Sequence, residues 1–191
     1  MIAAPSQLLL AIAEHETLEK ACRALGITKE DGLKLLRGAA VRLQNDKPGP
    51  PPRLDGQRKV FVFSDGAARG NPGPAGAGAV IKDADGKVIA ELKQALGKTT
   101  NNVAEYKGLL LGLQEAKKRG VREVEVRADS ELMIRQLNGK YAVRNEGLKP
   151  LHNEAMALLN SFAKWNAEHV PREENAEADE MSNRAIDEEM G

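Results

Sequence analysis

The chain has 191 residues, room for one ordinary domain or for a domain with a small appendage. Hydrophobic residues make up 41% and charged ones 29%, which supplies a core and excludes wholesale disorder, while 3% aromatics make that core mostly aliphatic. Lys+Arg 28 equals Asp+Glu 28, so a polyanion would have to be met by local patches or by cations, and the single cysteine, Cys22, excludes an internal disulfide and a Cys-rich zinc site. Leu8 to Ala13 (LLLAIA) is too short to span a bilayer, and the first basic side chain is Lys20. The expectation is a cytoplasmic protein with no membrane partner.

Residues 1–44 read as helical. Leu8, Leu9, Ile12 and Ala13, then Leu18, Ala21, Cys22 and Leu25, then Leu33, Leu36, Ala39, Ala40 and Leu43 recur at helical spacing. Gly26 is placed to close the second helix, and Thr28 with Asp31 to open the third. The run LEKACRALGITKEDGLKLLR is helix-turn-helix-like, with Leu33 and Leu36 expected behind Cys22 and with Lys29, Lys34, Arg37 and Arg42 as candidate phosphate contacts. Glu30 and Asp31 at the start of the would-be recognition helix oppose phosphate binding, so self-association stands beside nucleic-acid contact as a role for residues 1–44. Pro48, Pro50, Pro51 and Pro52 then mark 45–57 as a stiff, extended linker.

Residues 58–191 change rhythm. Lys59 to Ser64 predicts a strand, and a glycine-rich stretch follows it. Ala79 to Lys82 and Lys87 to Leu92 flank Asp83-Ala84-Asp85-Gly86 as a hairpin. Val103 to Arg119 predicts a helix ended by Gly120, and Glu123 to Ala128 alternates as a half-buried strand does. Helices are expected from Ser130 to Leu137 and from Leu151 to Phe162, a strand from Trp165 to Val170, and a closing helix from Ala176 to Glu188. The order β-β-β-α-β-α-α-β-α predicts an α/β fold, a mixed five-stranded sheet flanked by helices, beside the small all-helical N-terminal domain.

Four acids stand out in this pattern. Asp65 is expected to end the first strand, Glu105 to lie in the first turn of the helix after TTNN, and Asp129 to close the alternating strand. Asp179 falls in the closing helix, where Ala178 and Met181 mark the apolar side. Singly, each has an ordinary use as a turn former, a cap or a dipole partner. Two central strands carrying Asp at the same end would bring carboxylates together; several at one place repel and desolvate badly, and hard oxygen ligands in that number suit Mg²⁺ or Mn²⁺.

The blocks FSDGAARGNPGPAGAGAVI, TTNNVAEYKGLLLGL, VRADSELMIRQLNGKYAVRNEGL and HVPREENAEADEMSNRAI, in this order and spacing, resemble type 1 ribonuclease H over about residues 58–190. The resemblance implies a ribonuclease H-like sheet and an endonuclease that cuts the RNA strand of RNA–DNA hybrids, leaving 5′-phosphate and 3′-hydroxyl ends. By position, Asp65, Glu105, Asp129 and Asp179 match the family's metal-binding catalytic acids. Two cations about 3.5–4 Å apart can bridge a scissile phosphate, one activating water and the other stabilising the leaving oxygen. Asp65, on the central strand, would bridge them.

The resemblance also assigns a loop role in product release or proton transfer, for which His169 and Arg172 are both candidates. Asn71, Thr100, Asn101 and Asn102 match positions that read the minor groove and 2′-hydroxyls, and Ser130 a backbone-phosphate contact. One departure is plain: the region of Lys140, Arg144 and Lys149 carries no tryptophan, where many bacterial members have a basic, Trp-rich protrusion. The only tryptophan, Trp165, is expected in the core, and Glu131 adds an acid beside Asp129. The alternatives are a catalytically weak hybrid-binding module, or the same chemistry on double-stranded RNA or RNA–DNA junctions.

Overall fold

The computed structural model describes residues 17–45 and 59–190, with the backbone alone over 38–45. The chain divides into two compact units between Pro50 and Pro51. The helix expected around Leu8 to Ala13 and the linker from residue 46 on lie outside the described residues.

In the first unit, α1 (Leu18–Ala24) and α2 (Lys29–Asn45) form a helical hairpin. The Thr17 hydroxyl accepts from the Lys20 N–H and starts α1. Gly26, at φ +67°, ends it, with the Ile27 N–H bonded back to the Cys22 carbonyl at 3.0 Å. Thr28 accepts from the Asp31 N–H at 3.1 Å and donates to its carboxylate at 2.6 Å, which opens α2. Ala21 and Cys22 are buried against Leu18, Leu25, Ile27, Leu35 and Leu36. Leu33, expected among them, is 38% exposed, because Leu35 takes the inward position instead. Lys29 and Lys34 are paired with Glu19 and Glu30.

The second unit holds β1 (Lys59–Ala68), β2 (Gly73–Lys82), β3 (Val88–Thr99), α3 (Asn101–Lys118), β4 (Glu123–Ala128), α4 (Glu131–Leu137), α5 (Lys149–Leu159), β5 (Lys164–His169), a 3-10 turn (Arg172–Asn175) and α6 (Ala176–Met190). The sheet order is β3-β2-β1-β4-β5. β1, β2 and β3 are antiparallel neighbours, and β4 lies parallel to both β1 and β5. Val60, Val62, Val124 and Val126 on one face meet Leu109, Leu113, Met133 and Leu159 from the helices. On the other, Phe63 and Val80 meet Ala178 and Met181 of α6. Trp165 is only partly buried, because its indole N–H donates to the Asn160 amide oxygen at the surface.

The glycine-rich stretch is strand rather than loop. β1 continues through Asp65 to Ala68, so Asp65 sits inside the strand and not at its end. The reason lies in how the helices seat. A Cβ on Gly66 would stand 2.1 Å from the Ala104 and Glu105 backbone of α3, and one on Gly108 would stand 2.3 Å from the Asp65 carbonyl oxygen. On the α6 side, a Cβ on Gly78 would stand 2.3 Å from the Ala178 carbonyl oxygen. Bare strand backbone lets each helix lie directly on the sheet beside Asp65. Gly78→Ala should therefore lower unfolding free energy by about 2–3 kcal/mol in chemical denaturation; an unchanged midpoint and slope would show that the helix has slack there.

Candidate active site

Sheet register sets the first two acids side by side. Phe63 of β1 pairs with Arg127 of β4, and two residues beyond each stand Asp65 and Asp129. Glu105 comes from α3, in its second turn and not its first, because the helix starts at Asn101 behind the Thr100 cap. Asp179 comes from the first turn of α6. Asp65, Gly66, Ala67, Ala68, Asn101, Glu105, Asp129, Arg172, Asp179 and Asn183 line one cleft of about 330 Å³. All four predicted acids thus share a single opening at the carboxyl ends of parallel strands, the usual place for a ligand in such sheets.

The acids are not alike. Asp65 and Glu105 are 5% and 8% exposed, whereas Asp129 and Asp179 are half-buried. Burial pushes the Asp65 carboxyl up from 3.8 to about 6; the Ser182 hydroxyl opposes the rise, and the charges of Asp129 and Asp179 add to it. Burial, with the charges of Asp65 and Asp129, pushes Glu105 from 4.5 to about 9.

Each acid has one oxygen held by a neutral donor. Ser182 Oγ donates to Asp65 Oδ2, and Asn101 Nδ2 to Glu105 Oε1 at 3.4 Å. Asn175 Nδ2 donates to Asp129 Oδ1 at 2.9 Å and Asn183 Nδ2 to Asp179 Oδ2 at 3.2 Å. Asn175 also donates to the Ser64 carbonyl, which ties the 3-10 turn to β1. The Glu105 Oε2 atom is buried without a hydrogen-bond partner.

An all-oxygen donor set with an orphaned, desolvated carboxylate oxygen fits a hard divalent cation in its chemistry. Among the described residues, however, no three acidic, histidine or cysteine side chains close into a ready-made ion cage. Asp179 is turned to the Arg172 guanidinium at 2.6 Å, and Asp129 accepts from Asn175.

The remaining predicted residues separate. Arg172 reaches into the acidic cleft, while His169 bonds the Asp129 backbone carbonyl at 3.2 Å and lines a neighbouring hollow with Glu131 and Arg135. Glu131 is paired with Arg135. Asn71 accepts from the Asn101 N–H through Oδ1, and Thr100 accepts from the Val103 N–H, so both shape the start of α3. Asn102 is exposed, and Ser130, at the N-cap of α4, makes no side-chain cap bond. Sequence reasoning missed Asn175, Ser182 and Asn183, although spacings of +3 and +4 from Asp179 put Ser182 and Asn183 on its side of α6; Asn175 lies in the preceding 3-10 turn.

Fold and site together define a ribonuclease H-like protein with an acidic cleft. A family model described as "Reverse transcriptase-like" matches residues 63–185. A bifunctional protein of Mycobacterium tuberculosis is 48% identical over 130 residues, 68% of this chain and 36% of that protein, so the chain spans about a third of that relative's length. Ribonuclease H of Pseudomonas savastanoi pv. phaseolicola is 32% identical over 146 residues, covering 69% of this chain and 95% of that one. The crystal structure of LC11-RNase H1 in complex with an RNA/DNA hybrid superposes with a TM-score of 0.66 at 42% identity, over 69% of this chain and 99% of that one. The chain belongs to the ribonuclease H family, a family of enzymes. Among the described residues, no helix is long and apolar enough to cross a membrane.

Raised carboxyl pKa values make the cleft a pH-dependent cost. The folded chain keeps protons that the unfolded chain has released, so stability falls as pH rises through about 6 for Asp65 and about 9 for Glu105. In buffer free of divalent ions, Glu105→Gln should match the parent near pH 4.5 and exceed it by about 1–3 kcal/mol above pH 9. Denaturant midpoints across that range check this, and a pH-independent difference would contradict it.

Proposed function

We propose that this chain hydrolyses the RNA strand of RNA–DNA hybrids at the acidic cleft, in the cytoplasm, with two divalent cations (Mg²⁺ or Mn²⁺), leaving 5′-phosphate and 3′-hydroxyl ends. The observation that carries this reading is the meeting of Asp65, Glu105, Asp129 and Asp179, from four separate elements, in one cleft. The hybrid bound to a 42% identical relative supports the substrate.

When bound, the cations supply Lewis-acid activation of water and neutralise charge at the phosphate. Asp65, Glu105, Asp129 and Asp179 would hold them, with Asp65, on the central strand and nearest to Asp129 in register, shared between the two. Burial leaves Asp65 and Glu105 with few competing waters, which strengthens their pull on any positive charge. Arg172 pairs with Asp179, and its guanidinium would suit the phosphate of a bound strand. Asn71, Thr100, Asn101, Asn102 and Ser130 border the start of α3 and α4, where their amides and hydroxyls suit 2′-hydroxyl and phosphate contacts. Residues 1–44 would serve as an accessory unit for further nucleic-acid contact or for self-association.

The test is cleavage of a labelled RNA–DNA hybrid beside double-stranded RNA, an RNA–DNA junction and DNA, with and without Mg²⁺ or Mn²⁺. Hybrid-selective, cation-dependent cutting is expected, and Asp65→Asn should reduce it to the protein-free level while leaving hybrid binding in place. Cutting by Asp65→Asn would remove the assignment, and binding without cutting by the parent would favour a hybrid-binding module. In the same assay Arg172→Ala should lower kcat by about 10–100-fold, and His169→Ala by much less. The reverse order would give the loop role to His169.

A further inference from the structure

We infer that Ser182 is a positioning residue for Asp65 and sets how tightly divalent cations are held in the cleft. The inference rests on the proposed reading of the cleft as a cation site. Ser182 lies on α6, three residues after Asp179, and is fully buried. Its Oγ stands 2.5 Å from Asp65 Oδ2 and 2.9 Å from the Asp179 carbonyl oxygen. The hydroxyl has one hydrogen to give, and the carboxylate, closer and capable of charge, is the better acceptor. Asp65 is too buried for water to replace that bond.

The hydroxyl is delivered by backbone packing. A Cβ on Gly76 would stand 2.2 Å from the Ser182 carbonyl oxygen, and one on Gly78 would stand 2.5 Å from its N atom. The turn of α6 that carries Ser182 therefore rests on β2 directly beside Asp65, whose register partner is Gly78. Two consequences follow. Asp65 has Oδ2 committed and its carboxylate plane fixed. Because Ser182 and Asp179 lie within one turn of the same helix, the bond also fixes the strand acid against the helix acid. Groups that orient ligating carboxylates in this way typically change metal affinity 10–100-fold when lost. A merely structural serine would give its hydrogen to the Asp179 carbonyl alone, and its loss would leave the cleft unaffected.

The experiment compares the full chain with Ser182→Ala, Ser182→Cys and Asp65→Asn. Mn²⁺ binding by calorimetry and by electron paramagnetic resonance is read beside the Mg²⁺ dependence of hybrid cleavage and melting in EDTA. Ser182→Ala should raise both the Mn²⁺ dissociation constant and the half-maximal Mg²⁺ concentration about tenfold or more. Ser182→Cys, a weaker donor of similar size, should fall between and carries the comparison if the alanine variant does not fold. Mn²⁺ affinity within about twofold of the parent in the folded serine variants, while Asp65→Asn loses it, would overturn the role of Ser182 alone. Undiminished Mn²⁺ binding by Asp65→Asn would overturn the cation reading of the cleft, and the role of Ser182 with it.

Discussion

At Gly66 and Gly78, on adjacent strands, the sheet presents bare backbone where α3 and α6 lie across it from opposite faces. Side chains at these points would hold each helix farther off by about the thickness of a methyl group, and packed interiors do not absorb such a shift cheaply. The acids depend on this approach. Glu105 follows the α3 backbone that rests on Gly66, and Asp179 and Ser182 belong to the α6 turns that rest on Gly78. The cleft is thus set by contact between backbones, which is stiffer than any arrangement of long polar side chains could be.

That stiffness matters because the cleft works against its own electrostatics. Ser182, Asn101, Asn175 and Asn183 each hold one carboxylate oxygen, and all four donors are neutral. They fix directions and supply hydrogen bonds without supplying charge. Arg172 is the cleft's one basic lining residue, and its side chain is largely exposed, so solvent screens its pairing with Asp179. The acids are therefore oriented by neutral donors, and Glu105 is relieved of its charge by a proton, kept up to about pH 9, and not by a basic partner. A site arranged this way holds a strong, directed demand for cations.

Much of this was legible in the residues, and what was not has a physical reason. Alternation in Glu123 to Ala128 marks β4 to the residue, because one face of that strand is buried and the other is wet. Strand order brought Asp65 and Asp129 to one end of the sheet, and the family resemblance added Glu105 and Asp179 to the same site. The glycine-rich part of β1 and β2 was not legible as strand, since hydrophobic pattern is read from side chains and these positions work by having none. Glu105 was placed one turn early because Thr100, rather than a later residue, caps α3. Leu33 and Leu35 are both apolar and two residues apart in α2, and only contact with α1 distinguishes them. Ser182 and Asn175 carry no composition signal at all; their importance comes from what lies across the gap, in β1 and β4.

The same physics favours the proposed catalytic reading of the cleft over a binding module. A nucleic acid approaches as a polyanion, and four carboxylates in one opening repel it. A protein that only held hybrids would gain affinity from replacing any of these acids with an amide. Neutral amides do stand beside the acids, at Asn101, Asn175 and Asn183, so the fold accommodates them at this place. Keeping acids between those amides costs both stability and affinity for the phosphate backbone. Under the proposed reading, cations that turn the repulsion into attraction at one phosphate would offset both costs, and the charge developing there during hydrolysis would meet a site already oriented for it.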